Sequence, residues 1–183
     1  MLRFLSGNLF NSKAQTLVNT VNCVGVMGKG IALAFKERFP AMFADYRRRC
    51  ENEELQPGIL TIYKDASPWV INFPTKRHWR GNSQIKDIEA GLATLVKVSG
   101  EWGLQSLAMP ALGCGNGGLD WTEVRLLIER YLSGVDIDVE VYEPTPIPGG
   151  QIPPVSDVTM PLDLFGQPLN INLKRSGRRK KLG

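Results

Sequence analysis

The segment "FPTKRHWRGNSQ", residues 73–84, places a lysine among basic and aromatic residues. The amine of Lys76 could serve in two ways. As an ammonium it would stabilise or protonate a leaving group, and as a neutral amine it would attack an electrophilic carbon. A lysine in a basic loop is, by pattern alone, more often simply solvated. Lys76 is therefore a candidate catalytic residue that needs support from its surroundings.

The residues after this lysine combine positive charge with rings: Arg77, His78, Trp79 and Arg80. Cations bind phosphates and a ring stacks on a base, so the cluster fits contact with a single strand of DNA. The alternative is that Trp79 packs against the domain while the arginines are solvated. The sequence pattern alone does not decide between these two interpretations.

A glycine-rich loop containing Gly28 and Lys29 lies within residues 18–40 and runs into a helical segment. A triphosphate-binding Walker loop needs a glycine five residues before the Gly-Lys pair and a hydroxyl residue after it. Cys23 and Gly30 stand at those positions, so the magnesium-binding hydroxyl is missing. The glycines and the helix N-terminus still suit an anion without tightly held magnesium.

A second glycine loop, "MPALGCGNGGLDW", contains G-x-G-x-x-G at Gly113, Gly115 and Gly118. A dinucleotide-binding fold would need further strands after the next helix, and the sequence leaves room for one. The other interpretation is a tight strand-to-helix turn that requires glycines for backbone reasons.

Strand-like and helical segments alternate along the chain, and several strands are apolar throughout. This pattern predicts an α/β fold, a three-layer α/β/α domain with a central mixed, mainly parallel sheet. We expect strands at 2–6, 14–22, 58–64, 69–74, 104–110 and 137–144, and helices at 30–39, 41–55, 83–103 (N-cap Ser83) and 120–132. Both glycine loops then lie at the carboxyl edge of the sheet, where two nests of N–H groups would clamp a diphosphate.

Composition narrows the class of protein. Cys23, Cys50 and Cys114 are odd in number and lack C-x-x-C spacing, and His78 is the only histidine. These features argue against a disulfide framework and a zinc site, so we expect no metal and no cofactor. The chain has no run of about 18 apolar residues and no long apolar core of a secretion signal. We expect a cytoplasmic protein that does not span a membrane.

The amino-acid composition of the chain changes at Pro144. We predict a globular domain at 1–143, a proline-rich linker at 144–173 with seven prolines between Pro144 and Pro168, and a basic tail at 174–183. The six tail cations are Lys174, Arg175, Arg178, Arg179, Lys180 and Lys181. Without them, sixteen basic residues face eighteen acidic ones, so the rest of the chain carries a net charge of −2.

Five segments carry a likeness to a known family: "SGNLF", "LVNTVNCVGVMGKGIALAFKERFP", "INFPTKRHWR", "SLAMPALGCGNGGLDW" and "VEVYEP". With them the sequence resembles the macrodomain family, which binds ADP-ribose. Within that family it is most similar to the branch of the human terminal ADP-ribose glycohydrolase and the bacterial antitoxin DarG, and nearest to DarG. The likeness extends over essentially the whole predicted domain.

The resemblance implies roles for particular residues. Asn8 would contact the adenine, Tyr142 would lie against it, and the Asn22 amide would meet the hydroxyls of the distal ribose. Lys76 matches the catalytic lysine of the branch, and Asn22 would orient the ribose for it. The implied ADP-ribose-binding set is Asn8, Leu9, Asn22, Val24, Gly25, Met27, Gly28, Lys29, Gly30, Ile31, Thr75, Pro110, Leu112, Gly113, Cys114, Gly115, Asn116, Gly117, Gly118 and Tyr142.

Two positions depart from the family pattern. Many macrodomains carry Asp where this chain has Asn8, and the human glycohydrolase has an acidic catalytic residue where this chain has Gly117. Asp120 lies three residues later, where we expect it to cap the next helix. The two-residue mechanism of the human enzyme therefore does not carry over intact.

The resemblance implies a DNA ADP-ribosyl glycohydrolase that releases ADP-ribose from thymidine in single-stranded DNA and so counteracts a DarT-type toxin. Two alternatives remain. A module that reads ADP-ribose without cleaving it needs the loops but not Lys76, and a hydrolase of protein-linked ADP-ribose would differ at the rim of the pocket. The basic tail could add nonspecific DNA affinity. We expect a monomer.

Overall fold

The computed structural model describes residues 1–144, so the predicted basic tail and all of the predicted linker after Pro144 lie outside it. Six strands form one sheet. The strands are β1 (Leu2–Leu5), β2 (Thr16–Asn22), β3 (Thr61–Tyr63), β4 (Trp69–Lys76), β5 (Ser106–Pro110) and β6 (Asp138–Tyr142), and the helices are α1 (Gly30–Arg38), α2 (Pro40–Glu51), α3 (Ile85–Ser99) and α4 (Trp121–Leu132). Within residues 1–144, no helix is long and apolar enough to cross a membrane.

The strand order is β1-β6-β5-β2-β4-β3, and every neighbouring pair is parallel except β3 with β4. The predicted mixed, mainly parallel sheet is thus confirmed. β2 lies between β5 and β4, and the register shifts between Val21 and Asn22 so that Asn22 pairs with Lys76. The two residues expected to drive the chemistry are therefore neighbours at the carboxyl ends of adjacent central strands.

The sheet is covered on both faces, which explains its apolar strands. On β2, Leu17 and Val21 belong to a core with residues of α1 and α2, among them Phe35. Val18 points the other way, into a core with α3 and α4. Side chains alternate between the faces because the strand has a period of two. The outcome is the predicted three-layer α/β/α arrangement.

α3 approaches the sheet closely at a glycine. The Cα of Gly91 faces the ring of Phe73 on β4, and a Cβ at that position would clash with the ring. Phe73 is fully buried. The missing side chain lets α3 lie against the strand that ends in Lys76, so this contact helps to fix the segment that carries the candidate amine.

After β1, Leu9–Asn11 forms a short 3-10 helix, because the Asn8 carboxamide accepts a hydrogen bond from the Phe10 N–H at 3.0 Å. Two local predictions were wrong. Lys76 ends a strand instead of lying in a loop. Ser83 is not the N-cap of α3; Gln84 occupies that position without a side-chain cap bond, and the Ser83 N–H donates to the Gly117 carbonyl at 3.0 Å.

The expected cap of α4 is confirmed. The Asp120 carboxylate accepts hydrogen bonds from the N–H groups of Thr122 at 2.8 Å and Glu123 at 3.3 Å. Such a bond satisfies N–H groups that have no partner within the helix. Asp120 is therefore accounted for by helix capping.

Candidate functional site

A cleft of about 960 Å³ opens at the carboxyl edge of the sheet. Most of the predicted site residues line it, and they come from all the segments named above. These are Asn8, Leu9, Asn22, Gly28, Lys29, Gly30, Ile31, Thr75, Lys76, Trp79, Arg80, Pro110, Gly113, Gly115, Asn116, Gly117 and Tyr142. The parallel strand order brings the two glycine loops together, as ligand sites in open α/β sheets require.

Other predicted residues do not line this cleft: Val24, Gly25, Met27, Leu112, Cys114, Gly118, Arg77 and His78. Met27 and Leu112 are buried in the two cores. A loop that offers its backbone to a ligand must anchor its apolar side chains beneath itself, and these two residues do so. Val24 and Gly25 lie on a second cavity behind the first loop.

Several lining residues were not predicted from the sequence: Gly7, Phe10, Thr20, Val21, Val26, Ala32, Gly81, Asn82, Ala111, Glu143 and Pro144. Most are chain neighbours of predicted ones, so a wider window around each motif would have included them. Phe10 is the most informative, because its ring lies 4.8 Å from that of Phe35 and 4.1 Å from the Arg38 guanidinium. Phe10 supplies an aromatic side chain to the cleft near Asn8. The only sequence feature that pointed to it is its place as the last residue of the "SGNLF" segment.

The amide of Asn22 is fixed by the loop that follows it. Its Oδ1 accepts from the N–H groups of Val24 at 3.0 Å and Val26 at 3.3 Å, and its Nδ2 donates to the Val26 carbonyl at 2.5 Å. If the amide were flipped, the Nδ2 donor would face the N–H donors of Val24 and Val26, so these hydrogen bonds determine the orientation of the amide. Among the described residues Nδ2 has one acceptor, which leaves its second N–H for a ligand in the cleft.

The first loop ends at an uncapped helix. Lys29 is the N-cap of α1 and makes no side-chain cap bond. Gly30, with φ at +58°, begins the helix in a conformation that side chains rarely adopt. The N–H groups of the first helical turn are therefore free to bind an anion, and the helix dipole favours one there.

The second loop touches the first. A Cβ placed on Gly30 would lie 3.0 Å from the Asn116 side-chain nitrogen. Gly113 and Gly118 have φ of +73° and +76°, and the loop turns back on itself between them. The two loops thus lie side by side along the cleft and offer glycine backbone to a ligand, an arrangement that suits a diphosphate.

Gly117 cannot carry a side chain in this loop. A Cβ at that position would clash with the Gly113 carbonyl and the Ser83 hydroxyl. Ser83 is buried, and its hydroxyl has no hydrogen-bond partner among the described residues. The loop therefore leaves no room for an acid at position 117.

The amine of Lys76 reaches across the cleft and donates a hydrogen bond to the backbone carbonyl of Asn116. Lys76 is half-buried, and its backbone pairs with Asn22. The nitrogen therefore lies at the backbone of the second loop, in the cleft that Asn22 also lines. This is the position from which a cation or amine could act on a sugar held beside a diphosphate.

Arg77 is tied back to the domain. Its guanidinium donates to both carboxylate oxygens of Asp87, at 3.2 and 3.0 Å, and this carboxylate lies buried in the first turn of α3. Such a bidentate pair holds the guanidinium in place. Arg77 is thus engaged in the fold, whereas Trp79 and Arg80 face the cleft.

His78, Trp79 and Arg80 form a stack at the rim. The His78 and Trp79 rings are 5.6 Å apart at 28°, and the Arg80 guanidinium lies 4.5 Å from the centre of the Trp79 ring. The Arg80 N–H donates to His78 Nδ1 at 3.2 Å. Trp79 is 46% exposed, so it is not a core residue. This exposure argues against the alternative in which Trp79 packs into the domain.

The thiols near the cleft are poor nucleophiles. Burial raises the pKa of Cys23 to about 11 and that of Cys114 to about 12. Cys114 packs against the core and donates weakly to the Leu112 carbonyl at 3.5 Å. Because the thiolate is the reactive form, neither sulfur competes with Lys76 near neutral pH. Within residues 1–144, no three His, Cys, Asp or Glu side chains are grouped to hold a metal ion.

Comparison with known proteins agrees with this geometry. The family model described as "Macro domain" matches residues 18–128. A DNA ADP-ribosyl glycohydrolase of Mycobacterium tuberculosis is 45% identical over 150 residues, which cover 79% of this chain and 43% of that protein. A DNA ADP-ribosyl transferase-DNA ADP-ribosyl glycohydrolase fusion protein of Thermosipho africanus is 40% identical over 174 residues, covering 84% of this chain and 45% of that one.

Solved structures are similar as well. The macrodomain of Thermus aquaticus DarG superposes with a TM-score of 0.75 at 46% identity, covering 79% of this chain and 99% of that one. Thermosipho africanus DarTG in complex with ADP-ribose gives a TM-score of 0.77 at 41% identity, and the match covers 83% of this chain and 43% of that one. This chain spans less than half the length of the curated relatives named above. The family model and these relatives show that the chain belongs to the macrodomain family.

Proposed function

We propose that this chain is a DNA ADP-ribosyl glycohydrolase that removes ADP-ribose from thymidine in single-stranded DNA. The observation that carries the proposal is the position of the Lys76 amine, which donates to the second glycine loop in the cleft that Asn22 also lines. The names of the Mycobacterium tuberculosis and Thermosipho africanus relatives support the reaction class. The fusion of transferase and glycohydrolase in the latter supports a DarT-type partner.

In this proposal the diphosphate of ADP-ribose lies along the two glycine loops. The N-terminus of α1 and the N–H groups around Gly113–Gly118 bind its oxygens. The adenine lies at the end of the cleft near Asn8, Phe10 and Tyr142. The free N–H of Asn22 binds a hydroxyl of the distal ribose. The bond to be cut then lies beside Lys76.

Two roles are open to the amine of Lys76. As an ammonium it donates a proton to the departing base while water adds to the ribose. As a neutral amine it attacks the anomeric carbon, a C–N bond forms while the bond from that carbon to the base breaks, and the proton lost by the amine goes to the departing base. The ribose ring of this adduct opens to an imine, which water hydrolyses to ADP-ribose and the free amine. Both give the same products. Intact-mass analysis of protein quenched with a hydride reducing agent separates them, because the second route predicts a covalent adduct on Lys76.

The rim of the cleft supports a nucleic-acid substrate. Trp79 offers an exposed ring and Arg80 a cation at the end of the cleft where Lys76 lies. A base stacks on such a ring with a contribution of about 1–3 kcal/mol, and the cation attracts a neighbouring phosphate. Asp87 holds the Arg77 guanidinium, but the Arg77 side chain is 59% exposed, so its contact with DNA stays a prediction.

One experiment separates this function from its alternatives. The chain and its Lys76→Ala variant are incubated with ADP-ribosylated single-stranded DNA and, separately, with ADP-ribosylated protein, and free ADP-ribose is measured. We expect release from the DNA by the unmodified chain and at least about tenfold slower release by the variant. Release from protein alone would instead identify a protein-directed hydrolase. Binding of ADP-ribose without release from either substrate would identify a reader module.

A further inference from the structure

Tyr46 is a buried tyrosine on α2 whose hydroxyl reaches the end of β2. It is fully buried, and its hydroxyl donates to the Asn22 backbone carbonyl at 2.9 Å. The same oxygen lies 3.2 Å from Asn22 Oδ1. A buried hydroxyl is costly without a partner, so this contact is a specific feature of the core. The hydroxyl belongs to the layer behind the sheet, while Asn22 faces the cleft.

The contact falls where the backbone of β2 changes direction. The strand register shifts between Val21 and Asn22, and the loop begins immediately afterwards. On one side the Tyr46 hydroxyl holds the Asn22 carbonyl, and on the other the Cys23 N–H donates to the Arg77 carbonyl at 3.3 Å. The peptide between strand and loop is therefore clamped from two sides, and its orientation sets where the Asn22 side chain begins.

The neighbouring turn of α2 lies against the same loop. A Cβ placed on Gly25 would lie 3.7 Å from the Cys50 Cβ and 3.7 Å from the Arg47 Cγ. Gly25 has φ of +78°, a conformation that a side chain would strain. α2 thus lies against the first loop at Gly25, and Tyr46 is its hydrogen-bonding contact to Asn22.

We infer that Tyr46 is a positioning residue for the reaction: its hydroxyl holds the Asn22 backbone from which the amide projects, and so places the ribose against Lys76. The inference rests on the proposed function. Burial raises the pKa of Tyr46, so the phenol keeps its proton and remains a donor at physiological pH. Its effect should appear in the rate of cleavage more than in binding, because misplaced reacting groups slow the chemical step without removing the diphosphate contacts.

The test is Tyr46→Phe in the full chain, with Tyr131→Phe as a matched control. Tyr131 donates its hydroxyl to Glu89 at 3.1 Å, from α4 to α3, and does not line the cleft. We expect Tyr46→Phe to lower kcat on ADP-ribosylated single-stranded DNA by at least about tenfold and to change KM by less than about threefold. Tyr131→Phe should leave both values unchanged. Equal kinetics for the two variants would overturn the inference.

A double-mutant cycle shows whether the hydroxyl acts through the amide. In an Asn22→Ala background, Tyr46→Phe should lower kcat much less than in the unmodified chain, since the group that the hydroxyl orients is gone. An undiminished effect would contradict the inference. If the unmodified chain itself cleaves no DNA substrate, the proposed function fails instead, and that result is visible before any variant is compared.

A measurement on the unmodified protein covers the case in which Tyr46→Phe does not fold. A buried hydroxyl that donates to a carbonyl exchanges its proton slowly with water, so Tyr46 should give a slowly exchanging NMR resonance. Exchange as fast as that of the half-buried Tyr142 hydroxyl would show that the contact does not persist in solution, and the inference would fall.

Discussion

At the scale of single residues, two nitrogens define the site, and they are held differently. Asn22 Nδ2 belongs to an amide whose orientation is determined by three hydrogen bonds within its own loop. Among the described residues, Lys76 Nζ donates to one backbone carbonyl, that of Asn116. An amide fixed in this way is a reference point for a ligand, whereas an amine with one contact can turn towards the atom on which it acts. Binding and chemistry should therefore separate by mutation.

Gly117→Ala should weaken ADP-ribose binding without involving the amine. The new Cβ would clash with the Gly113 carbonyl and the Ser83 hydroxyl, so the second loop must move. We expect at least about a tenfold loss of affinity, or roughly 1.4 kcal/mol, by calorimetry. Gly134→Ala is the control, because that glycine is exposed and a Cβ there meets no atom of residues 1–144 within 4 Å. Equal affinities for the two variants would contradict the tight loop.

The thiols offer a prediction about pH. The pKa values of Cys23 and Cys114 are raised by burial to about 11 and about 12, from 9.0 for an exposed thiol. The folded protein therefore keeps these groups neutral where the unfolded chain ionises. Alkylation of Cys23 at pH 8, followed by mass spectrometry, should be about a hundredfold slower in the folded protein than in urea and should rise with pH up to about 11. Similar alkylation rates in the folded and the unfolded protein would contradict the burial of the Cys23 thiol.

At the scale of elements, the site depends on helices that never touch a ligand. α3 holds the segment after Lys76 through Asp87 and Arg77, and it lies against β4 at Gly91. α2 supports the first loop through Tyr46. These contacts join residues far apart in the chain, so they bring the ends of β2 and β4 into one fixed arrangement.

Replacing either of two glycines in the α3 region by alanine should change the stability of the protein, in opposite directions for the two sites. Gly91→Ala places a methyl group in the Phe73 ring, and overpacking of this kind costs about 1–3 kcal/mol. Gly100, the C-cap of α3, has φ of −68° and an open neighbourhood, so Gly100→Ala should stabilise the protein by about 0.4–1 kcal/mol. Thermal unfolding measures both. A Gly91→Ala protein as stable as the unmodified chain would show that α3 does not pack this closely.

At the scale of the whole molecule, local patterns predicted the layers and the cleft because both follow from chain order. Apolar strands alternate with helices, and loops that follow parallel strands meet at one edge. Sequence patterns did not predict the contacts between residues that are separated in the chain. No local pattern indicates the hydrogen bonds of Tyr46 to Asn22, of Ser83 to Gly117 or of Arg77 to Asp87.

The tail gives a prediction for the complete chain. Six cations fall within residues 174–183, while the remainder carries a net charge of −2. Replacing the six by Gln should leave ADP-ribose affinity unchanged and make the affinity for single-stranded DNA less dependent on salt. The slope of log K against log salt should become shallower by up to about 4, at about 0.7 for each released phosphate contact. An unchanged slope would exclude the tail from DNA binding.

The measurement that bears most directly on the site is made on Lys76→Ala. ADP-ribose binding is followed by calorimetry, and single-turnover release of ADP-ribose from modified single-stranded DNA is followed in parallel. The loops that hold the diphosphate do not need this amine, so affinity should stay within about threefold while the rate falls at least about tenfold, roughly 1.4 kcal/mol in the barrier. Unchanged binding with an unchanged rate would contradict a role for Lys76 in cleavage.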